Sequence, residues 1–197
     1  WSFPEKSVGA RLERAYLGAL SAFDGFDDKM AAAKSSAKFT TAGLMHETGN
    51  FALQTAMPAL HRSREVVRRA RIDVAAMRKK IALPDQDKTD AVGYLRRLEI
   101  RGHLAATPDD KRRDYISRNR ETLDPEWVRA IVEMPPILSG VLETDHGFLL
   151  DREVRRLHGS AVDEVQEIEA ALDATHRVTE TARDAICRDL GVMPGAP

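Results

Sequence analysis

Between Pro58 and Leu83, apolar and small residues recur alternately three and four positions apart. This spacing constrains the possible folds of the chain more than any other feature of the sequence. The repeating residues are Leu60, Ser63, Val67, Ala70, Val74, Met77 and Ile81. Because this spacing keeps one side of an α-helix apolar, it predicts an amphipathic helix that packs along its length. Pro58 either begins this helix or kinks a longer one.

A second row of the same kind lies near the carboxyl terminus. Its residues are Ala161, Val165, Ile168, Leu172, Thr175, Thr179, Ala182 and Ile186. It predicts a helix from about residue 145 to 190 that packs at a shallow angle on other helices. No strand pattern is found anywhere in the sequence. We therefore predict an all-α fold, an elongated helical bundle with two long heptad-patterned helices and several shorter ones.

Start and stop signals place the shorter helices. Ser7 is expected to cap a helix over 6–23, and Gly25 is expected to break or bend it before a second short helix over 26–36. Further helices are predicted over 38–56, over about 87–105, after the Thr107-Pro108 cap, and after Asp124-Pro125. The apolar residues of the helix over about 87–105 are Val92, Leu95, Leu98 and Leu104. Residues 137–142 are expected to form a connector that packs through Ile137, Leu138 and Val141.

Charge is distributed unevenly along the chain, although the net charge is −1. Residues 58–120 hold seventeen Lys and Arg against nine Asp and Glu, whereas residues 121–197 hold seven against sixteen. This division predicts an N-terminal helical arm over 1–57 and a bundle core over 58–190, basic to 120 and acidic beyond, with a tail over 191–197. Opposite charges in one chain attract within a subunit or between subunits.

No catalytic or cofactor-binding pattern is recognisable. The spacings Glu143-x-x-His146 and Asp173-x-x-His176 resemble half of a helical-bundle metal site, but the second lies off the apolar row. Cys187 has no His near it in the sequence that could activate it, and no Gly-rich phosphate loop is present. We therefore expect a protein that is not an enzyme and uses no metal or other cofactor.

The basic residues around the first apolar row form the candidate contact site. They are Arg62, Arg64, Arg68, Arg69, Arg71, Arg78, Lys79 and Lys80. Such a set suits the phosphates of a nucleic acid or an acidic protein partner. It equally suits a solvated helix face whose charges pair with nearby carboxylates. A pI near 6.7 and the lack of interleaved aromatic residues count against nucleic acid.

Two functional hypotheses follow. The first is a non-enzymatic structural or adaptor subunit that self-associates or docks in a larger assembly, such as a phage-type particle. The second is a nucleic-acid-associated protein that binds phosphates through residues 58–83. The candidate helix-packing residues are Leu60, Val67, Val74, Met77, Ile81, Val165, Ile168, Leu172 and Ile186.

The sequence also limits the cellular compartments in which the protein is expected. A single cysteine cannot form an intramolecular disulfide, so we expect a reducing intracellular compartment or the interior of a virus-like particle. The longest uncharged run covers residues 48–60, too short for a membrane-spanning helix. The sequence begins at Trp1 rather than Met, so we expect a chain that was trimmed or processed at its start.

Overall fold

The computed structural model describes residues 1, 3–36, 38–84 and 89–192, and no strand occurs among them. The helices are α1 (Val8–Ser35), α2 (Thr41–Phe51), α3 (Met57–Lys80), α4 (Ala91–Ala106), α5 (Asp109–Asn119), α6 (Pro125–Val132), α7 (Pro136–Ser139) and α8 (Glu143–Asp189), with a π-helical segment, Ala52–Ala56, between α2 and α3. The predicted all-α class is confirmed. Residues 85–88 of the predicted turn and residues 193–197 of the predicted tail lie outside the described residues.

Helix α1 is one continuous element, so the chain is not broken at Gly25 and the predicted second helix over 26–36 is part of α1. Ser7 caps its start as predicted, since the Ser7 side chain accepts a hydrogen bond from the backbone N–H of Ala10 at 3.1 Å. Beyond Gly25, Phe26 and Met30 are buried in the same core as Ala19. Burying one such large side chain contributes about 1.5–3 kcal/mol, which exceeds the cost of about 1 kcal/mol for one helical glycine.

The chain stays helical from α2 through α3, so Pro58 does not begin a separate helix. The residues on either side of the π-helical segment, Phe51 and Met57, both have right-handed helical dihedral angles. The N–H of Met57 donates to the carbonyl of Ala52, five residues earlier. Proline lacks an N–H and crowds the carbonyl four residues before it, so a widened turn just ahead of Pro58 accommodates the ring without ending the helix.

The two proline-containing starts differ in how they are capped. The Asp124 carboxylate accepts a hydrogen bond from the N–H of Glu126 at 2.8 Å, so the predicted start of α6 is confirmed. The predicted hydroxyl cap of α5 is wrong. Thr107 Oγ1 donates backward to the carbonyl of His103 at 2.8 Å, and Pro108 occupies the cap position with no side-chain hydrogen bond.

The chain forms two compact units, and each has its own core. Unit 1 comprises Trp1–Lys79 and Glu164–Pro197, and unit 2 comprises Lys80–Asp163. The core of unit 1 includes Ala19, Phe26, Met30, Ala52, Ala56, Leu60, Ala182 and Ile186. The core of unit 2 consists of Leu104, Ile116, Leu123, Val128, Ile131, Val132, Val141 and Leu149. These boundaries differ from those drawn from charge at 57/58 and 120/121.

In unit 1, α1 contacts both long helices. The Ser63 hydroxyl of α3 donates to the carbonyl of Ala15 at 2.9 Å. The Thr175 hydroxyl of α8 lies 3.3 Å from the carbonyl of Leu12 and 2.7 Å from that of Ala171 in its own helix. The small polar residues in the two apolar rows thus bond to backbone, which satisfies their hydroxyl groups inside the core.

In unit 2, α4 turns most of its apolar residues outward, since Val92, Leu95 and Leu98 are exposed and only Leu104 is buried. The predicted packing of Ile137 and Leu138 is wrong, because both are exposed on α7. The buried side of α4 instead carries Gly93 and the two arginines Arg97 and Arg101, the second half-buried. This inversion places a row of apolar side chains in solvent.

Candidate functional site

All eight cations predicted as the contact site are exposed on α3, and three of them pair with carboxylates. Arg64 Nε lies 3.4 Å from Glu180 Oε1 on α8. Arg78 donates from Nε and Nη2 to the two carboxylate oxygens of Glu169, also on α8, at 2.5 and 2.7 Å. Part of the attraction between the basic and acidic segments is therefore satisfied inside unit 1.

The third pair lies within α3 itself. Arg68 donates from Nε and Nη2 to Glu65 Oε2 at 3.1 and 2.9 Å. This hydrogen bond holds the pKa of Glu65 below its usual value, so the carboxylate stays ionised at neutral pH. Solvent reaches both side chains and screens the pair, so it contributes little to stability. Arg68 therefore keeps most of its freedom to exchange this partner for another anion.

The remaining cations of α3 have no carboxylate partner within the described ranges. They are Arg62, Arg69, Arg71, Lys79 and Lys80. Arg62 also lines a cleft of about 330 Å3 between α1 and α3, together with Arg11 and Arg14. Arg11 pairs with Asp73 at 2.5 Å, whereas Arg14 has no ion pair in the described part of the chain. No carboxylate side chain lines this cleft.

A second cleft runs along the other side of α3, toward α8. It has a volume of about 420 Å3 and is lined by His61, Arg64, Glu65, Val67, Arg68, Arg71 and His176. His61 and His176 are not among the predicted contact residues, because nothing in their spacing along the chain relates one helix to the other. Clefts on both sides of α3 thus present cations to solvent, and both lie within unit 1.

The predicted helix-packing residues are mostly taken up by the core of unit 1. Those buried there are Leu60, Val67, Val74, Val165, Ile168, Leu172 and Ile186. Met77 and Ile81 are half-buried, and Ile81 lies just beyond the end of α3. Because the two rows are buried inside one chain, they offer no continuous apolar surface to a second molecule.

The exposed apolar surface lies on α4 instead. We call the exposed set Ala91, Val92, Leu95, Leu98, Glu99 and Gly102 the outward face of α4. Leu98 and Gly102 also line a cavity of about 510 Å3 in unit 2, which Ile137 and Leu138 border as well. Ile137 is 88% exposed. Contiguous exposed apolar surface is rare on soluble monomers and marks interaction sites.

Buried charge explains why α4 turns its apolar side outward. Arg97 is 8% exposed, and its Nε lies 3.2 Å from Glu133 Oε2, an ion contact without the alignment of a hydrogen bond. Arg101 donates to the same oxygen at 2.6 Å and to the carbonyl of Ala130 at 3.0 Å. Arg129 lies 3.2 Å from the other oxygen of Glu133. One carboxylate thus fixes three guanidinium groups beneath α4, and this ion cluster sets the helix's rotation.

The residues considered for metal binding and catalysis lie apart. Nε2 of His146 donates to the carbonyl of Met134 at 2.8 Å, and His176 lines the cleft between α3 and α8. Cys187 is buried as a free thiol. In the part of the chain that the structure describes, no group of three His, Cys, Asp or Glu side chains is placed to hold a metal ion.

No helix in the described ranges is long and apolar enough to cross a membrane. Comparison with models of known protein families, with curated proteins and with solved structures returned no match. Two surfaces therefore bear on function: the exposed cations of α3 and the outward face of α4.

Proposed function

We propose that the protein is a non-enzymatic structural or adaptor subunit that self-associates through the outward face of α4. The observation that carries this proposal is the inverted helix: Val92, Leu95 and Leu98 are exposed while Arg97 is buried. Leaving three aliphatic side chains in water on an ordered helix forgoes about 1.5–3 kcal/mol for each one that could be fully buried. Covering this face with a partner recovers part of that energy.

The partner is a second copy of this chain, because the outward face of α4 complements itself. Leu98 adjoins the cavity bordered by Ile137 and Leu138, so each copy offers both a projecting apolar helix and a recess. Glu99 is the one charged residue of the face, and Arg96 lies at its edge. When two α4 helices pack antiparallel, Arg96 of one copy comes near Glu99 of the other, as a two-fold symmetric interface requires.

The test substitutes a charge at the middle of this face. We expect the wild-type chain to be a dimer or larger by light scattering at concentrations above about 100 µM, where weak micromolar interfaces are occupied. Leu95→Glu is expected to give a monomer, because association would bury an unpaired carboxylate. Leu17→Glu is the matched control, since Leu17 on α1 is 56% exposed and Leu95 is 57% exposed.

The salt dependence of association distinguishes an apolar interface from one held by charged side chains. Association through apolar surface is expected to persist between about 50 and about 500 mM NaCl, whereas contacts between exposed charges weaken over this range. A wild-type monomer at both salt concentrations, or a multimer that Leu95→Glu leaves intact, would overturn the proposal.

A second candidate function is the binding of nucleic acid phosphates along α3. The observation that favours it is that Arg14, Arg62 and Arg69 have no carboxylate partner among the described residues, and the first two line one cleft. Arg62 and Arg69 are seven positions apart, so they lie on the same side of α3. Cations without internal partners can neutralise phosphates and release counterions.

The experiment compares unpaired with paired arginines at equal change in charge. Binding to labelled duplex DNA and RNA is followed by fluorescence anisotropy over a series of salt concentrations. Replacing Arg14, Arg62 and Arg69 by Gln is expected to weaken binding and to lower the salt slope by about 0.9 for each lost phosphate contact on DNA. Replacing Arg64, Arg78 and Arg183 by Gln, each of which is paired with a carboxylate, is expected to have a smaller effect. Equal effects of the two sets would contradict this candidate.

A further inference from the structure

Unit 2 contains a cavity that neither proposed function uses. It has a volume of about 460 Å3 and is lined by His103, Leu104, Thr107, Lys111, Arg112, Tyr115 and Trp127, contributed by α4, α5, α6 and the first of the two residues between α4 and α5. This volume falls within the range of about 300–1,000 Å3 typical of small-molecule sites. All its lining residues belong to one compact unit, so the cavity does not depend on any other part of the chain.

Three aromatic rings meet at this cavity. The ring centroids of His103 and Trp127 are 5.8 Å apart with the planes near perpendicular, at 79°. Those of Tyr115 and Trp127 are 6.0 Å apart with the planes tilted by 54°. Trp127 thus stands between two rings that it meets at an angle rather than face to face. An angled arrangement leaves ring faces free for stacking, which is how proteins hold planar heteroaromatic groups.

The polar side chains of the lining are rich in hydrogen-bond donors. Lys111, His103, Tyr115 and Trp127 can each donate, and none of these four side chains has a hydrogen-bond or ion-pair partner within the described residues. No carboxylate side chain lines the cavity. A lining with free donors and no anion favours a ligand that brings acceptor oxygens and negative charge.

The Arg112 side chain is occupied by contacts within the protein and is not available to bind a ligand. Its guanidinium donates to the carbonyls of Gly140 at 3.1 Å and Leu104 at 2.9 Å, and to the carboxylate of Asp109 at 2.5 Å. Gly140 has a φ of 63°, and a Cβ there would overlap this guanidinium. Arg112 is therefore fixed in place, and Lys111 is the cation left to meet an anionic ligand.

We infer that this cavity binds a nucleobase carrying a phosphate, with the base against Trp127 and Tyr115 and the phosphate at Lys111. The positive charge of the lining argues against a cationic ligand such as a quaternary or methylated ammonium. Such cations are held by aromatic rings without neighbouring lysine or arginine side chains. The same chemistry is offered by a free nucleotide and by an unstacked base of a single-stranded nucleic acid.

Calorimetric titration of the full chain tests the inference with adenosine 5′-monophosphate as the first probe. We expect one site per chain. Lys111→Gln is expected to weaken the affinity for the monophosphate about tenfold, since it removes a charge-assisted hydrogen bond. The same variant is expected to leave the affinity for adenosine, which lacks the phosphate, unchanged. Lys34→Gln, which alters an exposed lysine of α1 outside the contact site predicted on α3, is the matched control and is expected to change neither affinity.

Trp127→Leu is expected to abolish binding of both the nucleotide and the nucleoside, and Lys111→Gln keeps the inference testable if that variant does not fold. A ten-nucleotide single strand distinguishes the two sources. Tighter binding of the strand than of the monophosphate, with the same sensitivity to Lys111→Gln, identifies the single strand; the reverse order identifies the free nucleotide. No binding of either probe at about 1 mM, or binding that Lys111→Gln does not weaken, would overturn the inference.

Discussion

Glu153 shows how one buried carboxylate ties the stability of unit 2 to pH. It is buried on α8, and Arg156 donates to its two oxygens at 2.8 and 2.7 Å. This paired hydrogen bond is the main reason that the pKa of Glu153 lies below its usual value. A carboxylate with a lowered pKa in the folded state stabilises the fold above its unfolded pKa, and this stabilisation is lost as the pH falls through the folded pKa.

We predict that Glu153→Gln lowers the free energy of unfolding of unit 2 by about 2 kcal/mol at pH 7, because it removes hydrogen bonds to a charged group. The difference from wild type should shrink once the pH falls below about 4.3, the ordinary glutamate pKa. Urea unfolding followed by Trp127 fluorescence, with Trp1 replaced by Phe, measures this difference. Glu121→Gln, an exposed glutamate of unit 2 without an ion pair in the described part, is the control and should behave as wild type. A difference that is constant from pH 7 to about 3 would contradict the prediction.

At the scale of the helix, Gly25 shows how packing outweighs local preference. The helix continues through this position, and a Cβ built there would lie 3.8 Å from Cζ of Phe51, an ordinary van der Waals contact. Nothing in the surroundings therefore requires a glycine. The residue costs about 1 kcal/mol relative to alanine and contributes no conformation that only glycine can adopt.

We therefore predict that Gly25→Ala raises the melting temperature by about 2–4 °C, as expected for roughly 1 kcal/mol in a chain of this size. Thermal unfolding followed by circular dichroism measures the change. Gly9→Ala on the same helix is the contrasting variant, because its Cβ would overlap the ring of Phe3, and it should not stabilise the protein. A lower melting temperature for Gly25→Ala would contradict the prediction.

The helix α4 marks where sequence patterns stop being informative. Its apolar residues Val92, Leu95 and Leu98 and its basic residues Arg97 and Arg101 lie on opposite sides, so periodicity correctly indicates an amphipathic helix. Which side is buried depends on Glu133, which follows α6 and is distant in sequence. A prediction from the helix's own residues places the apolar side in the core. It is wrong here because it does not include a carboxylate from a distant part of the sequence.

For the whole molecule, the class of fold could be predicted and the arrangement could not. The two apolar rows suffice for an all-α protein, since helices pack wherever such rows meet. The boundaries drawn from charge differ from those of the two compact units, and pairs such as Arg64–Glu180 and Arg78–Glu169 join the basic and acidic segments within one unit. The aromatic cavity around Trp127 could not have been predicted, because His103, Tyr115 and Trp127 come from three helices with no shared spacing.

The π-helical segment before Pro58 also indicates how the sequence of this chain evolved. A turn of this kind contains one residue more than the α-helical turn it replaces, which rotates the side chains on either side by roughly 100° relative to each other. It is therefore equivalent to a single-residue insertion that a helix has absorbed without losing its axis. A homologue without the proline would be expected to lack one residue between positions 52 and 56 and to keep the same buried face on both sides of the gap.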